Sequence, residues 1–336
     1  MSDVNQPLKV VIPTVPSGVS VADWWPVSTQ VEWRQESFID NKPAPKSLRG
    51  ADVLVATDFT KEMAAECDSL KAILIAAAGY DRIDPEAVPE GVFVANAYHH
   101  EAPIAEWVMA VAVALDHHLI EADRSFREGS WNFWPQRFGS YRELMSRTFG
   151  IIGYGAIGRR VAKLASAYDM RVITAGRTAA YEKKAENDGV EYFFGPEGMK
   201  QVISESDFLL LSTPLIDATR GLIGAGELAL MKPTAYLINP ARGHIVEEKA
   251  LFDALKTRSI AGAAIDTWYE YPVSDSDQPR PSRYPFWELE NVIMTPHQSG
   301  ATFGTRDRRA QTIAENIDRL AAGKPLVNVI SELSRT

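Results

Sequence analysis

An α/β fold with parallel sheets is predicted by three features of the 336-residue sequence. Its length exceeds the roughly 250–300 residues over which a single core usually grows, so we expect two domains. Short apolar runs alternate with helical patterns, and four of them are typical of strands: "LKVVIPTV", "ADVLVATD", "KAILIAAA" and "VFVANAY". The alternation restarts after the Trp-rich "GSWNFWPQRF" and predicts a second doubly wound unit, whose strands are "TFGIIGYG", "RVITAGR", "DFLLLSTP", "TAYLINPA", "IAGAAIDTW" and "NVIMTPH".

Two long helical patterns stand outside this alternation. Residues 103–126, "PIAEWVMAVAVALDHHLIEADRSF", are dense enough in apolar residues for one long buried helix that could bridge the two domains. The last helix, "TRDRRAQTIAENIDRLAAG", ends at Gly323, and Pro325 lies just beyond this stop. We expect the following "LVNVI" to return to the first sheet.

Composition narrows the class of protein. Hydrophobic residues make up 46% and charged residues 24%, and no apolar run approaches the roughly 20 residues that span a bilayer, so no membrane partner is expected. A net charge of −9 argues against nucleic acid as a partner. The opening "MSDVNQPLKVVIPTV" lacks the pattern of a secretory signal, which favours a cytoplasmic location. Cys67 is the only cysteine and the histidines lack ligand spacing, so no metal is expected.

A dinucleotide site is predicted where the second unit begins. The glycines of "TFGIIGYGAIGRR" have GxGxxG spacing, directly after an apolar strand and at the start of a helix. Such glycines allow a tight turn, close approach of a pyrophosphate and packing of the helix on the strand, while the helix N-terminus offers free N–H groups. The alternative is a glycine-rich packing turn. The residues predicted to form this part of the cofactor site are Gly153, Gly155, Ala156, Ile157 and Gly158.

The next strand, "VITAGRT", indicates which dinucleotide is preferred. An Asp or Glu about 20 residues after the glycine turn normally accepts hydrogen bonds from the ribose hydroxyls and repels a 2′-phosphate. Gly176 leaves out that carboxylate, Arg177 can pair with the phosphate and Thr178 can donate a hydroxyl. We therefore expect NADP(H), with NAD(H) as the weaker cofactor. The alternative is that Arg177 points into solvent and both cofactors bind.

Three further segments follow strands of the second unit: "LINPARGHIVEEKAL" with Arg242, "AGAAIDTWYEYP" with Asp266 and "NVIMTPHQSGAT" with His297. Together with the glycine turn and "STPLIDATRGLIG", they resemble the D-isomer-specific 2-hydroxyacid dehydrogenase family over roughly residues 72–328. The resemblance implies a Rossmann coenzyme domain inserted into a flavodoxin-like α/β substrate domain built from both chain ends. The corresponding bounds are 1–103 and 298–336 for the substrate domain and 104–297 for the coenzyme domain.

The resemblance also implies roles for single residues and an active site between the domains. Arg242 matches the arginine that binds the substrate carboxylate and polarises the carbonyl, and His297 matches the acid/base. In the first domain "AAAGYDRID" resembles the loop that holds the substrate carboxylate, here Ala78, Gly79 and Tyr80, with Asn96 and Glu106 in the stretch that follows. The remaining cofactor residues are Thr213, Pro214, Pro240, Ala241 and Asp266, the last towards the nicotinamide carboxamide. A homodimer that uses the helix 103–126 is also implied.

The chain departs from the family pattern at one catalytic position. The family places a glutamate five residues after Asp266, before a proline, to support the histidine, whereas this chain has Tyr271 followed by Pro272. A carboxylate raises the histidine pKa, and a phenol can orient the ring without supplying charge. Either a bulge brings the adjacent Glu270 to His297, or Tyr271 takes the role, and we favour Tyr271.

The combined prediction is an NADPH-dependent reductase of a small 2-oxo acid, such as glyoxylate or hydroxypyruvate, that runs reversibly as a D-2-hydroxyacid dehydrogenase. One alternative is a nucleotide-sensing, co-repressor-like protein with little turnover, which the tyrosine at 271 keeps open. A second is a formate-oxidising relative, which "DTWYEYP" resembles.

Overall fold

The protein is described by a computed structural model that covers residues 6–38, 42–272 and 277–334. The first five residues, on which part of the expectation about export depends, lie outside the described residues. The chain divides into two compact units. Unit 1 comprises Met1–His100, Pro272–Gln278 and Thr302–Thr336, and unit 2 comprises Glu101–Tyr271 and Pro279–Ala301.

Unit 1 contains a five-stranded parallel sheet in the order β2-β1-β3-β4-β5. This is the flavodoxin-like order, which confirms the predicted class for this unit. Buried side chains alternate between its faces: Val11, Leu54 and Ile73 contribute to one core cluster, and Val10 and Leu74 to the other. The strands are β1 Leu8–Pro13, β2 Val31–Glu36, β3 Val53–Val55, β4 Ala72–Ile75 and β5 Phe93–Asn96.

Unit 2 contains a seven-stranded parallel sheet in the order β12-β11-β10-β9-β6-β7-β8. Its first strand β6 lies between β7 and β9, so the strand order reverses there, as the Rossmann arrangement requires. Ligands of open α/β sheets bind at such a reversal. The strands are β6 Thr148–Ile152, β7 Arg171–Gly176, β8 Glu191–Phe194, β9 Phe208–Leu211, β10 Tyr236–Asn239, β11 Gly262–Ile265 and β12 Val292–Met294.

Helices cover both sheets, as right-handed crossovers between parallel strands require. In unit 1 they are α1 Val21–Trp24, α2 Lys61–Ala64 and α11 Phe303–Ala321. In unit 2 they are α3 Glu101–Asp116, α4 Leu119–Arg127, α5 Pro135–Phe138, α6 Ala156–Ala167, α7 Glu182–Asn187, α8 Gly195–Glu205, α9 Ala225–Leu230 and α10 Glu248–Lys256. Short 3₁₀ turns span Pro45–Leu48, Leu144–Ser146, Ala179–Tyr181, Asp217–Thr219, Gly243–Ile245 and Phe286–Glu288.

The single long helix predicted over 103–126 is wrong. The stretch forms α3 and α4, which meet at a bend of 59°. His118 between them has φ +51°, in the left-handed region that interrupts a right-handed helix. α3 is buried along much of its length, whereas α4 has no buried residue. No single helix of the described residues is long and apolar enough to cross a membrane, and only α3 and α4 taken together reach that length and composition.

The C-terminal end follows the prediction. α11 ends two residues before Gly323, whose φ of +62° suits a glycine that closes a helix. The chain then returns to unit 1, where Val329 bridges Ala95 in antiparallel fashion and Ile330 N–H donates to the Val94 carbonyl over 2.8 Å.

Candidate functional site

The glycine turn after β6 has the three properties that a pyrophosphate site needs. Gly153 has φ +103°, and a Cβ there would lie 2.8 Å from Thr213 Cγ2, so only glycine fits. A Cβ on Gly158 would overlap the Gly153 carbonyl, so α6 packs directly on the turn. A Cβ on Gly155 meets no described atom within 4 Å, which leaves open space at the N-terminus of α6. Two glycines therefore shape the turn and the third keeps room for a phosphate.

The neighbouring strand β9 completes this end of the sheet. Thr213 follows β9, and among the described residues its buried Oγ1 has no hydrogen-bond partner. A buried polar atom without a partner at the strand reversal fits a dinucleotide that would satisfy it. The remaining predicted cofactor residues lie at the same carboxyl edge: Ala156 and Ile157 in the first turn of α6, Pro214 after Thr213, and the buried Pro240 and Ala241 after β10.

Arg177 and Thr178 lie where β7 ends, and both are exposed. The Thr178 hydroxyl accepts from Ala180 N–H over 3.3 Å and caps the 3₁₀ turn that follows. A capping hydroxyl still has its own proton to donate to an anion. The cation and the hydroxyl are thus on one surface at the end of the strand that follows the glycine turn.

Arg242 follows β10 in a turn that is fixed from two sides. The buried Asn239 accepts from Ala241 N–H over 3.1 Å and donates to the Arg242 carbonyl over 2.9 Å. A Cβ on Gly243 would lie 2.6 Å from the Trp268 carbonyl carbon, so glycine lets this turn approach the segment after β11. The guanidinium is half-buried and donates to the Ala241 carbonyl over 2.9 Å.

His297 follows β12 and is held by Asp266, which follows β11. The fully buried Asp266 carboxylate accepts hydrogen bonds from the Thr295 hydroxyl, Gln298 N–H and Ser299 N–H over 2.5, 2.9 and 3.0 Å. The backbone N–H of His297 donates to the backbone carbonyl of Asp266 over 2.7 Å, and His297 adopts φ +57°. Asp266 therefore fixes the His297 segment, and its predicted contact with the nicotinamide stays a prediction.

The structure brings Tyr271, and not Glu270, to the His297 ring. The Tyr271 hydroxyl lies 3.0 Å from His297 Nδ1 and accepts from Trp268 N–H over 3.0 Å. Glu270 pairs with Arg283 instead, at 3.5 Å. The Trp268 indole donates to the Thr295 carbonyl over 2.8 Å, so one buried tryptophan ties the Tyr271 and His297 segments together.

Arg242 and His297 therefore end two strands separated only by β11. Two strand spacings amount to about 10 Å between backbones, which an arginine and an imidazole can span towards one small acid. Asn239, Gly243 and Trp268 hold this arrangement, and sequence reasoning missed all three. The only available signals were the glycine directly after Arg242 and the tryptophan between Asp266 and Tyr271. The described part of the chain brings together no three His, Cys, Asp or Glu side chains that could hold a metal ion.

The predicted carboxylate loop lies in unit 1, after β4. The buried Asn96 donates from Nδ2 to the Ala78 carbonyl over 2.7 Å. The Tyr80 hydroxyl donates to Glu332, which raises the pKa of Tyr80 to about 12 because the carboxylate favours the protonated phenol. Ala78, Gly79 and Tyr80 are all half-buried. The loop is thus anchored at both ends, whereas Glu106 is an exposed residue of α3 in unit 2.

Comparison with known proteins decides the family. The model of the D-isomer specific 2-hydroxyacid dehydrogenase NAD binding domain matches residues 109–299, which is more than half of the chain. This chain belongs to that family. The resemblance seen in the sequence is confirmed, and with it an NAD(P)-dependent oxidoreductase that acts on the CH–OH group of 2-hydroxy acids.

Individual proteins are similar to this chain over almost its whole length. A glyoxylate reductase of Korarchaeum cryptofilum is 33% identical over 308 residues, which cover 89% of each protein. A glyoxylate reductase of Thermococcus litoralis is 35% identical over 312 residues, 88% of this dehydrogenase and 90% of that one. A solved acyclic imino acid reductase (Bsp5), in complex with NADPH and D-Arg, aligns with a TM-score of 0.79 at 27% identity and covers 96% of this chain and 100% of its own.

Proposed function

We propose that this dehydrogenase is an NADP(H)-dependent reductase of a small 2-oxo acid of the glyoxylate or hydroxypyruvate type, which works reversibly on the D-2-hydroxy acid. The observation that carries the proposal is the joint anchoring of Arg242 and His297 at the carboxyl ends of β10 and β12. Relatives described as glyoxylate reductases support the size of the substrate.

The proposed mechanism uses the two side chains on one carbonyl group. The glycine turn at Gly153, Gly155 and Gly158 would hold NADPH, which would supply the hydride to the carbonyl carbon. Arg242 binds the substrate carboxylate and stabilises the negative charge that grows on the carbonyl oxygen, an interaction that is stronger in the transition state than before it. His297 in its imidazolium form gives the Nε2 proton to that oxygen and keeps the proton on Nδ1. Ala78, Gly79 and Tyr80 stay predicted ligands of the carboxylate.

Tyr271 is proposed to orient His297 as an acceptor. Its phenol oxygen has two lone pairs, so it can accept from Trp268 N–H and from Nδ1–H of His297 at the same time. It therefore holds the ring in place in both protonation states and adds no negative charge. A carboxylate at this position would stabilise the imidazolium further and keep the acid form to higher pH.

Replacing Tyr271 by glutamate is accordingly expected to move the alkaline limb of the reductase kcat/KM profile upward by about one pH unit or more. The profile is measured from pH 5 to 10 with one 2-oxo acid and NADPH. Glu270→Gln is the matched control: its carboxylate pairs with Arg283, so the profile should not move. An alkaline limb that stays in place in Tyr271→Glu contradicts the orienting role of Tyr271.

The NADP(H) preference rests on Gly176, Arg177 and Thr178. A missing carboxylate removes repulsion of the 2′-phosphate, and a guanidinium adds a charge-assisted contact worth about 10- to 100-fold in affinity. The solved acyclic imino acid reductase, at 27% identity, is a complex with NADPH, which supports the same preference.

The reaction is tested with the purified protein, glyoxylate, hydroxypyruvate, pyruvate and phenylpyruvate, with NADPH and NADH in parallel. Loss of reduced-nicotinamide absorbance is expected with at least one acid, and kcat/KM should be about tenfold or more higher with NADPH. Formate with either oxidised cofactor should give no turnover, and turnover there would favour the formate-oxidising alternative. NADPH binding without turnover of any 2-oxo acid would favour the nucleotide-sensing alternative.

The homodimer and the cytoplasmic location stay predictions. Segment 126–145 exposes several large apolar side chains, and a surface of this kind is typical of protein–protein contacts. They are Phe126, Trp131, Trp134, Phe138, Tyr141 and Met145. This surface supports pairing with a second copy, through α4 and the residues after it rather than through the buried α3.

A further inference from the structure

Tyr192 occupies the space into which a side chain at position 176 would extend. Strands β7 and β8 run parallel, with Thr174 opposite Tyr192 and Gly176 opposite Phe194. A Cβ on Gly176 would overlap the Tyr192 hydroxyl oxygen and lie 3.0 Å from its Cζ. Any residue larger than glycine at 176 must therefore displace the phenol.

The phenol is held in that place by contacts on two sides. Its hydroxyl donates to the Thr178 carbonyl over 2.7 Å. Its ring lies edge-on to the buried Tyr154, with centroids 6.5 Å apart at 72°. Tyr154 is the middle residue of the glycine turn, and its hydroxyl donates to Asp188 over 2.9 Å. A phenol is protonated at neutral pH and can donate, and burial raises the pKa of Tyr192 further.

Tyr192 therefore contacts two parts of the strand end that distinguishes NADP(H) from NAD(H): position 176 and the Thr178 backbone. We propose that Tyr192 is a specificity-determining residue for the dinucleotide: it excludes an acidic side chain from position 176, and its hydrogen bond fixes the Arg177–Thr178 backbone. This inference rests on the NADP(H) preference proposed above and adds a residue to it. Tyr192 lies on the edge strand β8, outside the sequence motifs that define the site.

A specific consequence follows for redesign of the cofactor preference. Placing aspartate at 176 should supply the carboxylate that accepts from the ribose hydroxyls of NADH. With Tyr192 present, that change forces the phenol out of its position and releases the Thr178 carbonyl. Removing only the Tyr192 hydroxyl leaves the nearest atom at 3.0 Å, a distance that a shift of a few tenths of an ångström relieves. The switch therefore needs both changes.

The test is a double-mutant cycle with Gly176→Asp, Tyr192→Phe and the combined variant, and Tyr181→Phe as control. Tyr181 is an exposed tyrosine of the same region. Two quantities are measured without turnover: the Tm of the cofactor-free protein, and Kd for NADPH and NADH by titration calorimetry. The cofactor-free Tm reports the steric part of the proposal separately from cofactor preference.

Gly176→Asp alone should lower the Tm by about 4–10 °C and raise the Kd for both NADPH and NADH. Tyr192→Phe should raise the Kd for NADPH about three- to tenfold, through loss of one hydrogen bond, with little change for NADH. The combined variant should regain most of the lost Tm and bind NADH about tenfold or more tightly than NADPH. Tyr181→Phe should change neither quantity.

Two results would overturn the inference: a cofactor switch in Gly176→Asp without loss of Tm, or additive Tm changes around the cycle. If the parent protein binds NADH more tightly than NADPH, the proposed cofactor preference fails. The Tm cycle still decides whether Tyr192 excludes side chains at 176, so the two failures are distinguishable.

Discussion

Replacing His297 by asparagine is expected to lower kcat for 2-oxo acid reduction about 1,000-fold, within the range attributed to a positioned general acid. The asparagine amide cannot act as an acid near neutral pH, but asparagine tolerates the left-handed backbone that His297 adopts at φ +57°. Most other residues would add backbone strain at this position and confound the result. The Kd for NADPH should stay within about twofold of the parent value, since the acid acts on substrate oxygen.

The control for this experiment is His244→Asn. His244 lies two residues after Arg242, is exposed like His297, and packs its ring on Tyr269 with the ring centroids 5.5 Å apart. Its replacement should leave kcat nearly unchanged. A His297→Asn protein that keeps a tenth or more of the parent kcat would show that the proton comes from another group, and the proposed catalytic pair would be wrong.

The sequence predicts ten of the twelve strands of the described residues, and the two it misses share one property. β2 and β8 each lie at one edge of their sheet, with β5 and β12 at the other edges, and neither β2 nor β8 contains a fully buried residue. Strands inside a parallel sheet are buried on both faces and give apolar runs, whereas an edge strand can carry polar side chains. "VEWRQE" therefore lacks the apolar run on which strand prediction depends, whereas the aromatic "EYFF" carries a strand signal that the prediction did not use.

The candidate site divides in a similar way. Parts of the site were predictable where the backbone geometry permits only certain residue types, because those residues then form a motif with fixed spacing. Gly153, Gly158 and the Arg242 turn are of this kind. Asn239 acts within its own turn, on Ala241 and Arg242, but no motif marks that side chain as the support. The support from Trp268 was not predictable, since its indole acts through a tertiary contact with Thr295, which is distant in sequence. The same applies to Tyr192, which meets Gly176 only because two strands pair.

The break between α3 and α4 shows a different limit of prediction from the sequence. The apolar pattern continues across residues 117 and 118, so periodicity alone predicts one helix. The observed break is a backbone event at His118, and histidine is among the residues that visit φ > 0 more often than most. No motif marks that position in the sequence.

A buried ion network lies at the opposite, amino-terminal edge of the unit 2 sheet. Arg147, which precedes β6, hydrogen-bonds Asp116 and lies 3.4 Å from Asp207, and all three side chains are at most 7% exposed. Asp207 also accepts from Thr148 N–H over 2.8 Å and pairs with Lys232 at 3.2 Å. The guanidinium therefore compensates two carboxylates at the base of β6 and β9.

Arg147→Met is expected to destabilise unit 2 by about 3–5 kcal/mol, because it leaves the two buried carboxylates without their shared cation. At this unit size the loss corresponds to a fall in Tm of about 6–20 °C, measured by calorimetry.

The matched control is Arg171→Met. Arg171 bridges Glu191 and Glu205 at 2.7 and 2.6 Å, but on the surface, so its loss should cost less than about 1 kcal/mol. Adding Asp116→Leu to Arg147→Met should recover part of the stability, since the buried charge is removed with its partner. Equal effects of the two arginine changes would show that burial does not govern the Arg147 network. Because the network lies at the edge opposite His297 and Arg242, kcat of the folded Arg147→Met protein should remain close to the parent value at low temperature.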